Sequence, residues 1–134
     1  MLQYLEEINP DKVYVIGGDK AVPSSVLAGF EDKIDRVSGD DRYLTNIEIA
    51  KRFNDIISHN RVYIATGLNF PDALAGSALA ARNSSMIILA SNKEREEIRV
   101  YLNSKYTNYT VKFVLGGNDV VKLENLTQMF NYVN

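Results

Sequence analysis

Residues 62–81 read VYIATGLNFPDALAGSALAA, and this stretch decides the fold. Val62-Tyr63-Ile64-Ala65 is a continuous apolar run without period-2 alternation, as expected of a parallel strand covered on both faces. Thr66-Gly67-Leu68-Asn69 then breaks the run with turn chemistry. Asn69 is a candidate helix N-cap, with Asp72 three residues on and Pro71 suited to a first turn. Ala73, Ala75, Gly76, Ala78 and Ala80 are small enough to let the following helix lie close to a sheet. The stretch is therefore a strand, a tight turn and a helix.

The same design recurs on either side. VYVIGGDKAV (Val13 to Val22) is echoed by KFVLGGNDVV (Lys112 to Val121) at an offset of 99 residues, and VYIATGLNF (Val62 to Phe70) is a looser copy between them. Such internal repetition is the signature of a duplicated structural unit. Apolar β-rich runs predict strands over 12–16, 61–65, 86–90 and 111–115, and a short one near 35–38. Helices are predicted over 2–8, 23–33, 41–57, 70–82, 93–104 and 122–132. Within 41–57, Leu44, Ile47, Ala50, Phe53 and Ile57 recur at intervals of three and four, an amphipathic stripe. Asp40 or Asp41 is placed to cap its start. Strands alternating with helices of this length predict βαβ units and a three-layer α/β fold with a mainly parallel sheet and helices on both faces. The repeat divides the chain into residues 1–34, read as the tail of an upstream unit, and 35–134, a complete unit; together they are expected to form one compact α/β body.

Composition narrows the function. The chain has 134 residues, 46% hydrophobic and 24% charged, so it can build a core and is not disordered. Fifteen Lys and Arg stand against 17 Asp and Glu, a net charge of -2. Nucleic acid held by phosphate neutralisation calls for a basic excess, so no nucleic-acid partner is expected. No cysteine is present, which removes disulfides, zinc-thiolate sites and thiol catalysis. No run approaches the ~20 apolar residues of a transmembrane helix. The opening MLQYLEEINP is acidic where a signal peptide is basic and then apolar. The expectation is either a cytoplasmic protein or a piece of a longer exported one.

Four segments in order resemble the clostridial-type cell wall binding repeat 2 family: RVSGDDRYLTNIEIA (Arg36 to Ala50), VYIATGLNFPDALAGSALAA (Val62 to Ala81), MIILAS (Met86 to Ser91) and VKFVLGG (Val111 to Gly117). They match a G-x-DRY-x-T segment, a TG-x-NFPDAL segment, an apolar strand and a V-x-GG segment. Ile87-Ile88-Leu89 replaces the I-L-L strand of the pattern. The resemblance implies a Rossmann-like module of secreted Gram-positive surface proteins. Such modules come three to a protein and attach it noncovalently to an anionic cell-wall polysaccharide, with no catalysis and no cofactor. It also implies an extracellular, cell-wall location. One full repeat and a partial one stand here, so a surface formed where modules meet requires neighbouring repeats or a homo-oligomer.

Candidate site residues follow from the turns. Free amides and the helix dipole at Thr66, Gly67 and Asn69 would favour an anion; alternatively Gly67 only permits the turn and Asn69 only caps. Gly17, Gly18, Gly116 and Gly117 also end strands, where ligands of parallel α/β sheets gather; alternatively they serve backbone geometry. In Asp40-Asp41-Arg42-Tyr43, Arg42 would fork onto a phosphate or carboxylate and Tyr43 would stack on a sugar. Alternatively Arg42 pairs with Asp72 as a clasp between segments. The ligand-binding set is thus Arg42, Tyr43, Thr66, Gly67, Asn69, Asp72, Gly116 and Gly117. A metal among Asp40, Asp41 and Asp72 is disfavoured by Arg42 in their midst, and no spacing supports paired-carboxylate glycoside hydrolysis. His59, the only histidine, reads as a favourable cation near a helix C-terminus. Glu94-Arg95-Glu96-Glu97 reads as a solvated first helical turn. Tyr14, Tyr63 and Tyr101 read as packing residues, Tyr106 and Tyr109 as exposed. The leading expectation is a noncatalytic wall-polymer module. The alternatives are a small α/β enzyme acting on phosphate or sugar substrates through Asp40, Asp41 or Asp72, and a self-assembly module.

Overall fold

The computed structural model of the chain describes residues 2–107 and 110–130. α1 (Leu2–Ile8) leads to β1 (Val13–Ile16), then β2 (Ile34–Val37), α2 (Arg42–Arg52), β3 (Arg61–Thr66), α3 (Pro71–Arg82), β4 (Ile87–Ala90), α4 (Glu96–Lys105), β5 (Val111–Val114) and α5 (Leu123–Met129). All pairings are parallel, as the unalternated apolar runs require. They fall into two sheets: β1-β2, and β4-β3-β5 with β3 central. Val62 to Thr66 are all buried, which is the position of a strand covered on both faces.

Side-chain alternation along β3 separates two layers of helices. Val62 and Ile64, with Ile88 and Ala90 of β4, join Ile47 and Ala50 of α2, Ile98, Tyr101 and Leu102 of α4, and Met129 of α5 in one core. On the other face Tyr63 stacks on Phe113 with ring centroids 5.0 Å apart, and its hydroxyl accepts from Asn83 just past α3. Gly76 of α3 lies against Leu115: a β-carbon there would sit 3.2 Å from Leu115 Cδ2 and closer still to Cδ1. The small residues of α3 thus bring it onto the sheet.

The second sheet leans on α2. The ring of Tyr14 meets Phe53 at 5.0 Å, and Arg52 pairs with Asp35 of β2 while lying over Tyr14. Between β2 and β4, Asn46 of α2 fills the outer edge of β4. Its amide donates to the Ile87 carbonyl at 2.9 Å and its oxygen accepts from the Leu89 N–H at 3.0 Å.

Several expectations are corrected. Residues 23–33 form two 3-10 turns, Ser24–Leu27 and Glu31–Lys33, because Gly29 at φ 87 interrupts the run after Leu27. The helix expected over 41–57 ends at Arg52, where Phe53 turns aside onto Tyr14. Tyr106 is buried at 4% exposure, covered by His59 and the core, and not exposed. Tyr109 and residues 131–132 lie outside the described residues. No described helix is long and apolar enough to cross a membrane.

Candidate functional site

The carboxyl ends of β3, β4 and β5 point the same way, so their loops gather along one rim. Asp41 begins the construction by capping α2, accepting from the amides of Tyr43 at 2.9 Å and Leu44 at 3.0 Å. Desolvation opposes its charge, but those amides and Arg95 outweigh it and hold the carboxyl below its ordinary range. Arg95 pairs with Asp41 at 2.7 Å and spreads its guanidinium over the Tyr43 ring at 4.8 Å. The other edge of that ring closes on Gly67, where a β-carbon would lie 2.7 Å from Tyr43 Cζ.

Gly67 is consequently buried and fully engaged. Its N–H donates to the Ala90 carbonyl at 3.1 Å, and its carbonyl accepts from Arg42 at 2.8 Å. It therefore offers no free amide to an anion. Thr66 is 3% exposed, and its hydroxyl accepts from the Leu68 amide at 3.2 Å. Arg42 is exposed and makes no ion pair among the described residues. The clasp expected between Arg42 and Asp72 is replaced by the Arg42 bond to Gly67. Asp72 is half-buried on the far side, against Gly116, whose β-carbon would lie 2.6 Å from Asp72 Oδ2. Asn69 does not cap: α3 starts after Phe70, with no side-chain cap bond, because Phe70 already has helical φ and ψ.

Gly116 and Gly117 are exposed, and their amides make no hydrogen bond among the described residues. Beside them opens a cleft of about 140 Å³, lined by Thr66, Leu68 and Asn69 after β3, Asn92 after β4, and Asp119, Val120 and Lys122 after β5. Of the expected site residues, Thr66 and Asn69 line this cleft. Arg42 lines a separate cavity of about 860 Å³ with Gly17, Gly18, Asp40 and Asp41, Tyr43 packs on Gly67, and Asp72 and Gly116 stand together on the β5 side. Gly17 and Gly18 end β1 in the separate sheet, so the three glycine turns do not share one sheet edge.

Asn92, Asp119 and Lys122 escaped the sequence reading, since polar residues in loops carry no periodic signal. Arg95 was hidden in a charge run; it lies before α4, with its side chain 24% exposed. His59 is not a favourable cation: burial first, and then Lys105, push its pKa down. Among the described residues no group of acids or histidines is placed to hold a metal.

The DRY segment, the packed turn after β3 and the parallel sheet beneath them fall within a stretch that a known family covers. The model of the cell wall binding domain 2 (CWB2) family matches residues 36–125, and the chain belongs to that family. It is 28% identical over 120 residues to N-acetylmuramoyl-L-alanine amidase LytC of Bacillus subtilis, covering 89% of this chain and 23% of that protein. It is 31% identical over 87 residues to the amidase enhancer of the same organism, 63% of this chain and 12% of that one. Among solved structures it resembles Cwp8 from Clostridium difficile, with a TM-score of 0.70 at 28% identity over 88% of this chain and 19% of that chain. Cwp6 from the same organism shares the fold, with a TM-score of 0.79 at 24% identity over 96% of this chain and 21% of that chain. The chain thus spans less than a quarter of the length of each of these four proteins. Family and relatives make it a cell-wall-associated module.

Proposed function

We propose that the chain is a noncatalytic module that anchors a secreted surface protein to an anionic cell-wall polysaccharide of a Gram-positive envelope, through repeated weak sites on its strand-tip rim. The observation that carries this reading is Arg42. Its bond to the Gly67 carbonyl orients the guanidinium without neutralising it, leaving a positioned cation on the wall of the cavity it shares with Gly17, Gly18 and Lys20. Lys122 adds a second cation on the smaller cleft lined by Thr66 and Asn69, shared at 3.8 Å with Glu124. The amides of Gly116 and Gly117 add neutral donors. Tyr43, pinned under Arg95, sets the position of the turn that carries Thr66 and Asn69.

One or two cations against a slightly acidic surface bind weakly alone. Joining modules raises avidity by about 10²–10⁴ when all can engage at once. The test is binding of the single chain and of a linked trimer to purified wall polymer across a salt series. The trimer is expected to bind at least about a hundredfold tighter, with affinity falling as salt rises. Arg42→Ala is expected to weaken each site about tenfold, the loss of one charge-assisted contact of about 1.5 kcal/mol. Equal affinities without salt dependence reject the reading.

A further inference from the structure

The cleft beyond the tips of β3, β4 and β5 gathers polar side chains that the fold itself does not use. It measures about 140 Å³. Sites that enclose a drug-sized molecule run to about 300–1,000 Å³, so this one has room for a single ring. Asn69, Asn92 and Asp119 line it, and their side chains make no hydrogen bond or ion pair among the described residues. Thr66 is its buried wall, 3% exposed. The Thr66 hydroxyl oxygen accepts from the Leu68 amide at 3.2 Å, which leaves the hydroxyl hydrogen without an acceptor among the described residues.

These groups suit alcohols. A carboxamide offers donors and acceptors, a carboxylate offers acceptors only, and a hydroxyl is both donor and acceptor. Asn69 and Asn92 can therefore satisfy hydroxyls in either sense, and Asp119 can take an O–H hydrogen in a charge-assisted bond. Leu68, 61% exposed, and Val120, 36% exposed, add apolar wall for the C–H face of a ring. The same groups do not suit an anion. Asp119 would face it across a narrow space, and Lys122, the one cation on the cleft wall, is shared with Glu124 at 3.8 Å. Arg42, which makes no ion pair among the described residues, lines a different cavity. The two places meet at one turn: the Gly67 carbonyl holds Arg42, while its chain neighbours Thr66 and Leu68 line the cleft.

We propose that this cleft takes one uncharged pyranose ring of the wall polysaccharide by its hydroxyl edge, and that the anionic group of the polymer lies outside it. The inference rests on the reading of the chain as a polysaccharide-binding module. It adds which part of the ligand the strand tips read.

The test titrates the isotope-labelled full chain with methyl glucoside, methyl N-acetylglucosaminide, glucuronate and a glucose phosphate, and follows amide signals by NMR. The neutral glycosides are expected to shift the carboxamides of Asn69 and Asn92 and the backbone amides of Leu68 and Val120. They are expected to bind at least about fivefold tighter than either charged sugar, the size of one unfavourable charge contact near a surface. Asp119→Ala is expected to weaken the neutral glycosides at least about tenfold, the loss of one hydrogen bond to a charged group. Its side chain bonds nothing else in the described chain, so the variant is expected to keep the parent's spectrum away from the cleft. Neutral glycosides that shift no cleft residue overturn the proposal. So does a charged sugar that binds there as well or better, or an Asp119→Ala chain that binds the glycosides as the parent does. Salt-dependent binding of wall polymer by the linked trimer is read separately. If it persists while the glycosides pass the cleft by, the anchoring reading stands and this one falls. If it is absent while the glycosides bind, the anchoring reading falls and the cleft's preference stands.

Discussion

The tips of β3 and β5 both turn on glycine, and the two glycines are there for opposite reasons. At Gly67 there is no room: the Tyr43 ring occupies the space a side chain would need, and both backbone polar groups are taken. At Gly117 nothing stands within 4 Å of a β-carbon, and the amide makes no hydrogen bond among the described residues. A strand-tip glycine is therefore not by itself a ligand signal. The packed tip fixes the geometry of the rim, and the open tip supplies its unclaimed donors.

The contrast breaks most sharply at the packed tip. Gly67→Ala is expected to cost about 3 kcal/mol, because the buried ring must move and the Arg95 stack with it. Thermal or urea unfolding reads the loss, and a variant as stable as the parent removes Tyr43 as the reason for Gly67. Asp41→Ala comes next, at about 1–2 kcal/mol, through loss of the α2 cap and of the partner that holds Arg95 over Tyr43. Because the folded-state pKa of Asp41 is depressed, its stabilisation is present above the ordinary value of 3.8 and lost as pH falls through the lowered one. The gap between parent and variant should accordingly close in acid. Gly117→Ala is the smallest, within about 0.5 kcal/mol of the parent. A large effect there would show that the open tip is also a packed one.

Four strands were legible as apolar runs, but only β3, from Val62 onward, is buried along its length, β1 and β5 leave Tyr14, Ile16, Val111, Phe113 and Val114 exposed, and β2, Ile-Asp-Arg-Val, is not an apolar run. The capping role of Asp41 was legible from local sequence. The misreadings share a different cause: they needed to know what lies across space. Residues 23–33 were read as a helix filling the gap between strands, but Gly29 takes a positive φ. Asn69 has the chemistry of a cap, but Phe70 already stands in the helical region. Arg42 found a carbonyl where the sequence offered an aspartate. Arg95, read as solvated, is the outer plate over Tyr43, and no local pattern announces a partner 54 residues away in the chain. Similarly, the burial of Tyr106 is a tertiary fact, since its neighbours in sequence are polar.

Asn46 gives the three-stranded sheet a handed margin. With its carboxamide bridging Ile87 and Leu89, the middle of β4's outer edge is covered by a side chain of its own chain, one of the ways a sheet margin is kept from pairing with another molecule.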